Sequence, residues 1–173
     1  RFAEEYAGLI SKAAEIISKA FRSGNKLLVF GNGGSAADAQ HIAAEFVNRY
    51  LMERAPLPAI ALTTDSSILT SISNDYSFDD VFAKQIRALG VRGDIALGIT
   101  TSGTSPNMLR AFQTSREMGL ITIAFTGRDG GPAATMVDFN FTVRTDLTPR
   151  IQEVHITLAH VICELVEKRI AQS

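Results

Sequence analysis

Residues 26–35 read Lys26-Leu27-Leu28-Val29-Phe30-Gly31-Asn32-Gly33-Gly34-Ser35. The first five, KLLVF, have the length and apolar continuity of a strand buried on both faces. Gly31 to Ser35 is a sharp polar turn, and a helical pattern follows from Ala36 to about Leu51. A strand that passes through a glycine-rich turn straight into a helix is one unit of an alternating α/β fold.

The same alternation extends in both directions. Upstream, Leu9, Ile10, Ala13, Ile16, Ile17 and Phe21 recur at helical spacing, which predicts a helix over Phe2–Arg22 ended by Ser23-Gly24-Asn25. Downstream, Pro58–Leu62, Asp94–Ile99, Leu120–Phe125 and Phe139–Val143 read as further short strands. Helical patterns cover Ser66–Ile72, Phe78–Leu89, Pro106–Met118 and Pro149–Ala171. Thr126–Pro132 reads as a glycine-rich loop. The expectation is one domain over residues 1–173, a three-layer αβα sandwich around a five-stranded parallel sheet with right-handed crossovers. Ligands of such sheets bind beyond the carboxyl ends of the strands.

Composition narrows the function. The chain has 173 residues, 46% hydrophobic and 20% charged, with a net charge of −1. This balance suits a globular protein and offers no basic footprint for nucleic acid. No apolar run approaches the ~20 residues needed to span a bilayer. Cys163 is the single cysteine and lies in an apolar helical stretch. It is expected to be a buried thiol, which suits a reducing, cytoplasmic compartment. The sequence opens at Arg1, without Met and within a helical pattern, so an amino-terminal helix is expected to be truncated.

Two strand-to-helix turns carry the chemistry. Thr100-Thr101-Ser102-Gly103-Thr104-Ser105 packs five hydroxyls into six residues. The following helix begins at Pro106, which the first helical turn tolerates. Free backbone N–H groups, the positive end of the helix dipole and small hydroxyl donors together suit a phosphate dianion. A helix cap alone would need one hydroxyl, not five. The turn holds no Lys and no GxxxxGK[ST] pattern, which argues against nucleotide hydrolysis.

The other turn leads into His41 and Glu45, four apart and so on one helical face. That pair can hold a metal, act as an acid–base pair, or be a solvated surface pair. The last helix adds Gln152, His155 and His160. Gln152 and His160 lie roughly 12 Å apart along the axis and about 80° apart around it. One metal could meet both only near the limit of their side chains, or the site could draw on more than one subunit. His155 is expected on the helix surface. His160, among Leu158, Ala159, Val161 and Ile162, reads either as a core or interface histidine or as a functional one.

In order along the chain, Gly31–Tyr50 (GNGGSAADAQHIAAEFVNRY), Pro58–Asp75 (PAIALTTDSSILTSISND), Thr100–Ser105 and Arg150–His160 (RIQEVHITLAH) resemble the phosphoheptose isomerases, a family of SIS-domain proteins. The resemblance implies the SIS fold and a homotetramer with active sites shared between subunits. It implies one Zn²⁺ per subunit, on the positions matching His41, Glu45, Gln152 and His160. It maps substrate contacts onto Asn32, Gly33, Gly34, Glu45, Asn74, Asp75, Thr100, Thr101, Ser102, Ser105 and Gln152, and Ser35 matches another pocket position. Thr100 stands where many members have Ser, and a hydroxyl is retained. No contact is assigned in Asp146–Pro149.

The implied reaction converts sedoheptulose 7-phosphate to D-glycero-D-manno-heptose 7-phosphate. This is the first step toward nucleotide-activated heptose for lipopolysaccharide or other glycans. Glu45 is the expected base and His160 the opposing acid–base group. A second reading is a non-catalytic SIS relative that binds the replication initiator protein. That group resembles this chain less, because it lacks the acid at the position of Glu45 and the His at that of His160. A third is a sugar-phosphate-sensing domain, which usually accompanies a DNA-binding segment.

Overall fold

The apolar runs become strands because both of their faces are covered, so no polar alternation is needed. The computed structural model describes residues 2–172. Its strands are β1 (Leu27–Gly31), β2 (Ala59–Ala61), β3 (Ile95–Ile99), β4 (Ile121–Gly127) and β5 (Phe139–Val143). Its helices are α1 (Phe2–Arg22), α2 (Gly34–Val47), α3 (Ser66–Asp75), α4 (Val81–Leu89), α5 (Pro106–Glu117), α6 (Ala133–Met136) and α7 (Thr148–Ala171), with a 3₁₀ turn at Phe78–Asp80. All strand pairs are parallel, in the order β2-β1-β3-β4-β5. This is the expected five-stranded αβα sandwich.

Alternate strand residues feed two cores. Leu27, Val29, Ile95, Leu97 and Phe125 face α1, α2 and α7, while Leu28, Phe30, Ala96 and Ala124 face α4 and α5. At the amino end of the sheet, buried Asp94 accepts bonds from Val91 N and Lys26 N, and pairs with Lys26 Nζ at 2.6 Å. At the carboxyl end the strand order reverses between β1 and β3, and Gly31 is paired with Ile99. The two polar turns therefore lie side by side at a topological switch point.

Several boundaries differ from the sequence reading. α2 starts at Gly34 and stops at Val47, four residues short of the expected Leu51. α3 runs on to Asp75, and β4 continues through Thr126 and Gly127. Short α6 lies where only sequence without a pattern was seen. Cys163 is buried, and that burial pushes its thiol up to about 12. α3 has no buried residue, and Ile60, Ile68, Tyr76 and Phe78 are exposed around it.

His155 is not a surface residue. It is fully buried, with Nε2 2.9 Å from the Thr126 carbonyl oxygen. The reason is its place in the stripe Ile151, His155, Leu158, Ala159 and Ile162, whose helical spacing faces the core. Burial, only partly opposed by the Thr126 bond, lowers its pKa from 6.5 to about 4. Below pH 6.5 the unfolded chain binds a proton here that the folded one refuses, so stability falls with pH until the folded value is reached. Between pH 6.5 and 5 this amounts to about 2 kcal/mol. Denaturant unfolding across that window should show the loss in the native protein and a flatter profile in His155→Phe. An equal slope in both would contradict the assignment.

Candidate active site

The hydroxyl turn Thr100–Ser105 connects β3 to α5. Ser105 occupies the N-cap position of α5, yet its side chain makes no capping bond. Among the described residues the hydroxyls of Thr101 and Ser105 have no protein partner, whereas Thr100 Oγ1 accepts from Gly103 N at 3.1 Å. The turn's own geometry thus uses Thr100 and leaves hydroxyls free at a helix N-terminus. Capping does not explain the cluster. Gly103 has φ 68°, and a Cβ there would collide with the Gly130 carbonyl oxygen. The loop after β4 therefore packs backbone to backbone against the turn, and Ala133 N donates to Gly103 O at 3.1 Å.

The glycine turn faces it. Asn32 and Asn107 exchange amide hydrogen bonds at 3.0 and 2.9 Å. This reciprocal pair joins the two turns and commits the Asn32 side chain. Gly33 is the N-cap of α2. At Gly34 a Cβ would run into the Gln152 side-chain amide, so the absence of a side chain lets α7 approach. Between the turns lies a cavity of about 240 Å³, lined by Asn32, Gly34, Ser35, Thr100, Thr101, Ser102, Ser105 and Gln152. Thr148, in the segment given no contact from sequence, lines it as well. Two larger hollows lie nearby: one of about 520 Å³ shares Ser102 with this cavity and is lined by Thr104, Arg128 and Arg144, and one of about 410 Å³ lies between Phe2, Glu5 and Thr142–Thr145.

From that cavity α2 and α7 run side by side in the same sense. Seven residues after Gly34 comes His41, and eight after Gln152 comes His160. The two imidazoles meet there, Nε2 to Nε2 at 3.5 Å, with ring planes 73° apart. Glu45 Oε1 is 2.9 Å from His41 Nε2. Ligand atoms of His41, Glu45 and His160 all lie within 4.8 Å of one another. Nitrogens bound at ~2.1 Å to a tetrahedral ion lie about 3.4 Å apart, and two imidazoles with a carboxylate are an ordinary zinc donor set. The three residues fit a divalent metal. His41 is 46% and Glu45 21% exposed, so this end of the site opens to the surface.

Not every expected residue joins this assembly. Gln152 lies at the cavity end, two turns before His160. Asn74 and Asp75 are exposed at the end of α3, bonded to each other at 2.9 Å, and do not line the cavity. Sequence reasoning missed Asn107, which the reciprocal amide pair reveals, and Tyr50, whose ring stacks on His160 at 5.5 Å. It also missed Asp38, whose Oδ2 is buried without a partner. Burial raises the Asp38 carboxyl, and nearby His41 partly offsets this.

A family model described as the SIS domain matches residues 1–127. A phosphoheptose isomerase of Aquifex aeolicus (strain VF5) is 56% identical over 171 residues, covering 99% of this chain and 90% of its own length. The chain belongs to the phosphoheptose isomerase family of SIS-domain proteins. Another member, from Geobacter sulfurreducens, is 55% identical over 166 residues, covering 96% of this chain and 88% of that protein. The solved structure of the family member GmhA from Neisseria gonorrhoeae superposes with a TM-score of 0.91 at 46% identity, over 96% of this chain and 89% of that one.

The packing of the hydroxyl turn gives a direct test. Gly103→Ala must adopt a left-handed backbone and push away Gly130, so it should lose about 2 kcal/mol or more in chemical denaturation. Phosphate binding measured by calorimetry should weaken with it. Unchanged stability would show that the turn is not held as described.

Proposed function

We propose that this chain is an aldose–ketose isomerase acting on sedoheptulose 7-phosphate and forming D-glycero-D-manno-heptose 7-phosphate. The observation that carries the reading is the convergence of Glu45, His41 and His160, two helical turns from a cavity lined by free hydroxyls. Two turns are roughly 10–12 Å, a gap that an extended sugar phosphate can bridge.

In this account Thr101, Ser102 and Ser105, with the N-terminus of α5, grip the phosphate. Binding energy is then won far from the reacting carbons. Glu45 takes a proton from C1 of the ketose and forms an enediol. The proton returns at C2, leaving the aldehyde at C1. His160 moves the proton between the two hydroxyl oxygens. His41, Glu45 and His160 would hold one Zn²⁺; Gln152, the fourth ligand implied by the family resemblance, lies two turns away in this chain and would have to reach that ion from a neighbouring subunit. An ion held by these residues would supply polarisation of the carbonyl. Asn74 and Asp75 would contribute once a second copy is packed against α3.

That packing is part of the proposal. A helix with no buried residue, itself exposing Ile68 and flanked by exposed Ile60, Tyr76 and Phe78, is apolar surface that a homotetramer with shared sites would cover. No described helix is long and apolar enough to cross a membrane, and the buried lone thiol of Cys163 suits a cytoplasmic enzyme. An adaptor for the replication initiator protein finds no support among the relatives, which carry the isomerase name.

Purified protein should isomerise sedoheptulose 7-phosphate in a coupled assay. Glu45→Gln should reduce kcat by about 10²–10⁴-fold while leaving inorganic phosphate binding near normal. Undiminished turnover in that variant would refute the base assignment.

A further inference from the structure

Beyond α2 the chain does not continue as a helix but folds into an irregular loop over residues 48–58. Two buried charges determine its course. The Arg54 guanidinium, only 5% exposed, donates Nη2 to Glu45 O at 2.8 Å and Nη1 to Phe46 O at 2.8 Å, closing the C-terminal end of α2. Glu167 on α7, 2% exposed at its side chain, accepts the backbone N–H groups of Tyr50, Leu51 and Met52 at 3.0, 2.8 and 2.9 Å. Arg54 Nε approaches Glu167 Oε1 at 3.2 Å, an ion pair without the alignment of a hydrogen bond. Burial acts to raise the Glu167 carboxyl, but the three N–H donors and Arg54 outweigh it and hold the carboxyl below its usual range.

Such a pair is an expensive way to fasten a loop. A buried ion pair is often no more stabilising than apolar packing of the same volume, so its value lies in fixing position. What it fixes here is specific. Arg54 binds the backbone oxygen of Glu45 itself. Glu167 seats the N–H of Tyr50, and the Tyr50 ring lies 5.5 Å from the His160 ring with planes 30° apart. The His160 imidazole thus has Tyr50 stacked on it and His41 as its edge-to-face neighbour. The last torsion of a histidine is broad and soft, so a ring in a half-open site needs neighbours to set its plane.

We propose that Tyr50 is a positioning residue for His160, and that the buried Arg54–Glu167 pair holds it there, making the 48–58 loop a support of the acid–base site. This rests on the assignment of His160 as an acid–base group and metal ligand.

The test compares Tyr50→Leu, Tyr50→Phe, Arg54→Lys and His160→Asn in the full chain. Steady-state kinetics on sedoheptulose 7-phosphate are paired with zinc affinity measured against a competing chelator. Tyr50→Leu should lower kcat and zinc affinity by about tenfold or more, with KM little changed, and Tyr50→Phe should restore both. Arg54→Lys keeps the charge but loses the two-pronged grip on Glu45 O and Phe46 O. It should show the same kcat-selective loss, and it serves as the second reading if Tyr50→Leu folds poorly. The proposal is overturned if Tyr50→Leu and Arg54→Lys turn over normally, or if Phe is as damaging as Leu at position 50. If His160→Asn also turns over normally, the site assignment itself has failed. If only His160→Asn is inactive, the positioning inference alone has failed.

Discussion

Everything in this molecule that resembles an active site depends on the parallel registry of α2 and α7. The two helices touch at successive levels, each about two turns beyond the last. Gly34 meets the Gln152 amide, His41 meets His160, and the residues just past α2 meet Glu167. Positions seven apart return to nearly the same helical face and positions eight apart lie about 80° further round, so the two helices face each other over the first two levels and the chain just past α2 supplies the third. A slip of a single residue in either helix would rotate its functional group by about 100° and dissolve the cluster. Gly34 permits the close approach at the first level, and the Arg54–Glu167 pair locks the last.

The sheet sets the other boundary of the site. Because β1 and β3 are neighbours, their turns open into one crevice, and the Asn32–Asn107 amide pair joins those turns directly. The cavity so formed offers hydroxyls and a helix N-terminus and no cationic side chain among its lining residues. In the proposed reaction, recognition of charge would thereby be kept apart from proton transfer. The strong donors and the titrating groups occupy opposite ends of the helix pair, and each can be shaped without disturbing the other. Three of the buried polar groups lie where chain segments are joined: Asp94 at the amino end of the sheet, His155 under the end of β4 and Glu167 beneath the loop.

The parts legible in the sequence were those with a local period. KLLVF and DIALGI have the length and apolar continuity of buried strands, and the hydroxyl turn could be placed at a helix N-terminus from its composition and from Pro106. The stripe that buries His155 was equally periodic, and a polar residue type obscured it. What could not be read is non-local. Glu167 lies 117 residues from Tyr50, and Asn107 lies 75 from Asn32. No window of sequence contains either pair. For the same reason the sequence reading of α2 is four residues too long: Asn48 to Leu51 are acceptable in a helix, and the loop is held by distant Glu167 together with Arg54 at the end of α2. The cluster of His41, Glu45 and His160 stands between these cases. His41 and Glu45 share a face by spacing alone, but their meeting with His160 required the fold or a family resemblance.

The central claim is spatial, and a crystal structure of the protein with sedoheptulose 7-phosphate tests it most directly. The account predicts the phosphate within hydrogen-bonding distance of Thr101, Ser102 and Ser105 at the start of α5, and C1 of the sugar beside Glu45 and His160. A ligand bound with its phosphate away from that turn, or with its carbonyl end remote from both side chains, would contradict it.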